Sequence, residues 1–127
     1  MISETLAGRD QLDVTEFDDP APVVAALREA NVDSEGGLVW HFQLDGDSSP
    51  TLAVGVRGEI GALVWYEGGD ELVPTDGANG DWVEYWTWFG HEAPMPPRSE
   101  VPVELVYAAL AELVRTRERP KNVDWTN

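Results

Sequence analysis

His91-Glu92 begins like the helical motif that holds zinc in metallohydrolases, where a second histidine completes the ligand pair and the glutamate acts as base. That second position here is Met95, and the only other histidine is His41. Two isolated histidines do not make a zinc site. His41, set in an alternating apolar stretch, reads as a hydrogen-bonded or exposed strand side chain. Asp45-Gly46-Asp47-Ser48-Ser49 starts like a calcium loop, which needs a glycine at its sixth position and a glutamate at its twelfth. Pro50 and Val56 stand there, so a hairpin turn is left. The chain has no cysteine, no Gly-x-Ser-x-Gly elbow and no phosphate-cradling glycine loop. Paired carboxylates could serve as acid and base, but among 24 Asp and Glu nothing singles out a pair. No catalytic residue, metal or cofactor is expected, and the chemistry that remains is recognition.

Acids and tryptophans dominate that chemistry. Twenty-four Asp and Glu stand against 8 Lys and Arg, a formal net charge of −16. Such a field repels nucleic-acid phosphate and anionic membranes. A basic protein would be steered in quickly. Acidity that only keeps the chain soluble, or reflects a saline habitat, is the competing explanation. At 127 residues the chain is expected to form one domain that folds without disulfide or metal. No apolar run approaches a membrane span, and the first residues lack a basic start followed by an apolar stretch, so the cytoplasm is the expected compartment.

Three of the six tryptophans fall in Asp81-Trp-Val-Glu-Tyr-Trp-Thr-Trp-Phe-Gly90. At a period of two, Val83, Tyr85, Thr87 and Phe89 share one face; Trp82, Glu84, Trp86 and Trp88 share the other. β-Branched and aromatic residues suit a strand, ended by Gly90 and the prolines at 94, 96 and 97. Neither face is plainly polar, which places the strand inside a sheet with one face against a helix. It is either a core strand only, or one whose tryptophan face, with Glu84, also reaches a partner.

The elements that must hold this stretch follow from spacing. Gln11 to Thr15 can form a short strand through Leu12 and Val14. Asp18-Asp19-Pro20 opens a helix, with Val23, Val24, Leu27 and Ala30 as its stripe and Asn31 as its stop. Leu38 to Leu44 alternates as a strand, and residues 45–50 are a turn. Leu52 to Val56 and Ile60 to Tyr66 form a hairpin about Arg57-Gly58-Glu59. Glu67 to Asp70 is a turn, Glu71 to Pro74 a brief strand, and Thr75 to Gly80 a flexible acidic loop. Pro102 starts a second helix with Val103, Val106, Leu110, Leu113 and Val114 on its apolar stripe. Arg115, Arg117 and Arg119 suit the negative end of its dipole. Lys121 to Trp125 is a last strand. The fold class expected is α+β, an antiparallel meander of about five to six strands flanked by two helices.

The C-terminal third carries a series of short motifs in fixed order. Phe89-Gly90-His91 is followed by Pro96-Pro97, Ser99-Glu-Val-Pro102, Arg119-Pro120 and Val123-Asp-Trp125. This series resembles the first-numbered immunity-protein family of bacterial polymorphic toxin systems. The match covers about residues 81–125; the hairpin at 52–66 fits in pattern only, and residues 1–35 carry no motif. The resemblance implies an α+β protein, not an enzyme, that blocks a cognate toxin inside the producing cell. The implied partner is a basic toxin domain, a nucleic-acid deaminase or nuclease, and the implied state is a monomer alone and a heterodimer with the toxin. Gly90, Pro102 and Trp125 are then structural, and the toxin-facing residues vary with the toxin. Acidic loops beside the tryptophan stretch supply the candidates for contact: Glu67, Asp70, Glu71, Asp76, Asp81, Trp82, Glu84 and Trp86. A small-ligand or peptide-binding module stacking its target on Trp82, Trp86 and Trp88 is the alternative, and an enzyme with paired carboxylates a more distant one.

Overall fold

The computed structural model describes residues 5–32, 36–44 and 50–127. The calcium-like stretch 45–49, and most of the turn expected there, lies outside the described residues. Among the described residues a seven-stranded sheet runs in the order β1-β2-β3-β4-β5-β7, with β6 paired to β4. Its strands are β1 (Gln11–Asp13), β2 (Leu38–Gln43), β3 (Thr51–Arg57), β4 (Ile60–Glu67), β5 (Asp70–Pro74), β6 (Glu100–Pro102) and β7 (Trp125–Thr126). The α-helices among the described residues are α1 (Pro20–Val32) and α2 (Val103–Thr116). The architecture is α+β, as the spacing predicts.

Strands β2 to β5 form the expected antiparallel meander. β1 departs from it by pairing parallel to β2, with α1 in the crossover. A parallel neighbour needs such a long connection, whereas a hairpin supplies only antiparallel ones. β6 is also new: Ser-Glu-Val-Pro reads as a helix start, yet Glu100–Pro102 first pairs with Ile60–Ala62 and only then enters α2. The last strand is shorter than expected, because 121–124 turn before Trp125 meets Pro74.

Each strand divides its side chains between two layers. Trp40, Phe42, Leu52, Val54, Val56, Leu63 and Trp65 point to one face and are buried under Val23, Leu27 and Ala30 of α1 and Val106, Leu110 and Leu113 of α2. Each such side chain contributes about 1.5–3 kcal/mol relative to exposure. Asp19 accepts a hydrogen bond from the amide of Ala21 at 3.0 Å, in keeping with its capping role. At the far end of α2, Arg117 adopts φ 60°, its amide bonds to Leu113 O, and its guanidinium donates to Val114 O and Phe17 O. It thus satisfies carbonyls that the helix itself cannot.

The opposite face of the sheet carries small residues, Ala53, Gly55 and Ala62 among them, with Val39 and Val64 beside them. Residues 83–95 lie across this face. No helix of the described residues is long and apolar enough to cross a membrane.

Candidate partner-binding surface

The tryptophan stretch is not a central strand. It is one arm of a hairpin laid over the small-residue face, in which Val83 bonds to Met95, Tyr85 O accepts from Ala93, and Thr87 N donates to His91 O. The bonded positions are the odd-numbered ones, so Pro94 falls where an N–H would point away from the other arm and costs the pairing nothing. Trp86 instead turns its backbone to the start of β2, donating to Gly37 O at 3.1 Å and accepting from Val39 N at 3.0 Å. The inward side chain is Tyr85, fully buried against the sheet with Met95. It meets the sheet face away from the helices, which corrects the expected helix contact. Gly55 makes this possible: a Cβ there would lie 2.8 Å from Tyr85 Cε2.

Tyr85 closes a buried polar knot. Its Oη donates to Glu100 Oε2 at 2.9 Å, and the same oxygen receives Arg57 Nη2 at 2.7 Å. Burial, and then the Glu100 carboxylate, push the Tyr85 phenol well above its ordinary range. Asn79 accepts from the amide of Glu100 and donates to Asp81 O and Pro96 O. The loop expected to be flexible is therefore tied down by hydrogen bonds, Ala78 N to Glu100 O among them. Ser99 donates to Pro96 O at 2.7 Å and Trp125 Nε1 to Pro120 O at 2.9 Å. Gly90 stands at φ 82°, in the turn. Gly90, Ser99 and Glu100 thus build and latch the hairpin, and Pro120 and Trp125 fasten the C-terminal turn.

The eight expected contact residues occupy three places. Glu67, Asp70 and Glu71 cluster at the β4–β5 turn and are exposed, Glu67 accepting from Trp65 Nε1 at 2.9 Å. Asp76 is exposed at the other end of β5, roughly 13 Å of strand away at about 3.3 Å per residue. Asp81, Trp82, Glu84 and Trp86 belong to the hairpin arm; Trp82 is 61 % exposed, Glu84 exposed, and Trp86 half-buried near Gly36. The acids do not converge on one point. Glu67 also lines a cleft of about 440 Å³ with Arg117, Glu118, Arg119 and Lys121, so cations outnumber acids around it.

Two more exposed aromatics belong with the hairpin: Trp88 at 37 %, which alternation places on the tryptophan face and which was named only for the stacking alternative, and Phe89 at 55 %, which was not an expected contact. Strand alternation assigns Phe89 to the inner face and so hides it. The only available signal is the Gly90 two residues after Trp88, which suits a turn. His41 is half-buried in β2, and burial pushes its imidazole below the ordinary range, partly opposed by Asp10. Among the described residues no three His, Asp or Glu side chains group to hold a metal.

Charge is divided along the chain. Residues 58–97 hold eight Asp and Glu and no Lys or Arg, whereas four of the eight basic residues fall within 115–121. The ion pairs among the described residues engage Glu16, Glu100, Glu104 and Glu112, and none of the expected contact acids. No curated protein matches the chain. The family model described as Immunity protein Imm1 matches residues 11–127.

Proposed function

The chain belongs to the Imm1 family of immunity proteins, and from that premise we propose that it binds one cognate toxin domain and silences it by stoichiometric occlusion, without turnover. The family match is the observation that carries this reading. In it the chain acts as one domain, monomeric alone and heterodimeric with its toxin, in the cytoplasm of the producing cell.

The proposed toxin is a deaminase or nuclease. Enzymes that work on nucleic acid need a basic surface, and a net charge of −16 complements one. The acids at 58–97 lie outside the internal ion pairs and are available to such a surface. Asp70, Glu71 and Asp76 steer the encounter; Asp81, Trp82, Glu84 and Trp86 contribute from the hairpin; Glu67 takes a lesser part because Arg117, Arg119 and Lys121 share its cleft. Co-expression with the co-encoded toxin tests the reading. Growth should be restored only when inhibitor is at least equimolar with toxin. No rescue, or rescue far below one inhibitor per toxin, would overturn it.

A further inference from the structure

Two-residue and three-residue hairpin tips are ordinarily built from Gly, Asn, Asp, Ser or Pro, because those residues fit the turn or bond to it. The tip at 87–91 is different. Gly90 N donates to Thr87 O at 3.0 Å, Thr87 N to His91 O at 2.9 Å, and His91 N to Thr87 Oγ1 at 3.2 Å. With Gly90 at φ 82°, this is a three-residue loop with a glycine bulge. Its two remaining loop positions hold Trp88 and Phe89. Turn geometry asks for neither, and both stand exposed although their burial elsewhere would stabilise the fold.

The tip is also held firmly. Tyr85 is locked under the hairpin by Glu100, Trp86 is bonded to β2, and Val83 and Met95 exchange both of their backbone bonds. Aromatics carried on a preorganised loop lose little freedom on binding, which is the property of an interface anchor. Trp82, 61 % exposed, stands at the far end of the same arm, roughly 20 Å from the tip at about 3.3 Å per residue. The charges interleaved with these aromatics are Asp81, Glu84 and Glu92, all exposed, in a forty-residue stretch, 58–97, free of Lys and Arg.

We infer that the hairpin tip Trp88-Phe89 is the anchor by which the chain docks the basic substrate-binding surface of its partner protein, with Trp82 a second contact at the far end of the same arm. The aromatic faces receive Arg and Lys side chains by stacking and cation–π attraction, and Asp81, Glu84 and Glu92 meet their charges. This rests on the inhibitor reading and deepens it, since it names the face and the chemistry of the contact.

The test measures the affinity of the full chain for the co-encoded toxin domain by calorimetry. Phe89→Ala should raise Kd by about 30-fold or more, and Phe89→Lys further, with thermal stability unchanged. Phe89→Trp, which keeps a stacking face, should restore most of the affinity. Trp88→Ala should behave like Phe89→Ala, and amide exchange in the complex should show protection across 87–92. A tight complex indifferent to Phe89→Ala and Phe89→Lys, with 87–92 unprotected, would overturn the anchor while leaving the inhibitor reading intact. Absence of any complex with the wild-type chain would overturn both.

Discussion

Tyr85 Oη donates a hydrogen bond to Glu100 Oε2 at 2.9 Å, joining the hairpin that crosses one face of the sheet to the strand that leads into α2. Both groups are buried, and Arg57 supplies the countercharge at 2.7 Å. Tyr85→Phe should cost about 1.5–3 kcal/mol, the range for a hydrogen bond to a charged group. Glu100→Ala should cost more, since it leaves the Tyr85 hydroxyl buried without its acceptor. Denaturant unfolding of the two variants checks the order; a reversed order would mean that the hydroxyl does not depend on Glu100.

Burial of the Tyr85 phenol, and then this bond, give stability an alkaline limit. The folded phenol is held above the unfolded value of about 10, so the fold keeps a proton that the unfolded chain gives up. This contribution is fully present below pH ~10 and is lost as pH rises through the folded value. Tyr66, raised by burial, adds a slope of the same sign. His41 acts at the other end: burial favours its neutral form, so its contribution is present above pH ~6.5 and fades as pH falls. Tyr85→Phe should flatten the alkaline limb of a melting-temperature profile, and His41→Gln the limb just below neutrality.

The floor under the hairpin should be as sensitive as the hairpin. A Cβ at Gly55 would stand 2.8 Å from Tyr85 Cε2 and 3.4 Å from Ala62 Cβ, within a packed layer. Gly55→Ala should therefore cost about 1–3 kcal/mol by overpacking and tilt the hairpin tip. Paired measurements of stability and toxin binding should move together for this variant, in contrast to Phe89→Ala, where binding alone moves.

On the other face, Leu110 and Val106 of α2 are fully buried against the sheet. Leu110→Ala should cost about 2–5 kcal/mol and Val106→Ala somewhat less. Unchanged melting temperatures would contradict a core-facing stripe, and a loss of toxin affinity in excess of the unfolded fraction would give α2 a place in the interface.

Much of this architecture is legible in the sequence, for identifiable reasons. Leu38, Trp40 and Phe42, and Leu52, Val54 and Val56, alternate cleanly because one side of their strands meets the helices. The stripe of α2 is readable because Val106, Leu110 and Leu113 repeat at helical spacing. Residues 82–89 mislead because alternation reports which side chains share a face, and not whether the backbone has strand neighbours. Tyr85 is buried as a strand residue would be, but its arm pairs with the return arm 91–95 and, through Trp86, with the start of β2. β6 escapes notice because three residues ahead of a helix carry too short a pattern. The family-like motifs are legible as chemistry only after the structure shows Ser99, Glu100 and Pro120 latching the hairpin and the C-terminal turn.

The exposed acids should act on rate more than on lifetime. Reversing Asp70, Glu71 and Asp76 to lysine should slow association with a basic toxin about tenfold and weaken its salt dependence, because steering falls off beyond a screening length of about 8 Å at 0.15 M salt. Folding should change by no more than about 0.5 kcal/mol. Trp82→Ala should instead raise the dissociation rate. Stopped-flow association at several salt concentrations separates the two effects, and an on-rate indifferent to salt and to the triple reversal would leave the acidity as a solubility trait.

Titration of the co-encoded toxin's activity with the purified chain bears most directly on the inhibitor reading. At toxin concentrations well above Kd, activity should fall linearly and reach zero at one mole of chain per mole of toxin. An intact toxin that keeps full activity in the presence of excess chain would contradict that reading, and so would inactivation that proceeds to completion at a small fraction of one equivalent, which would mark the chain as a catalyst.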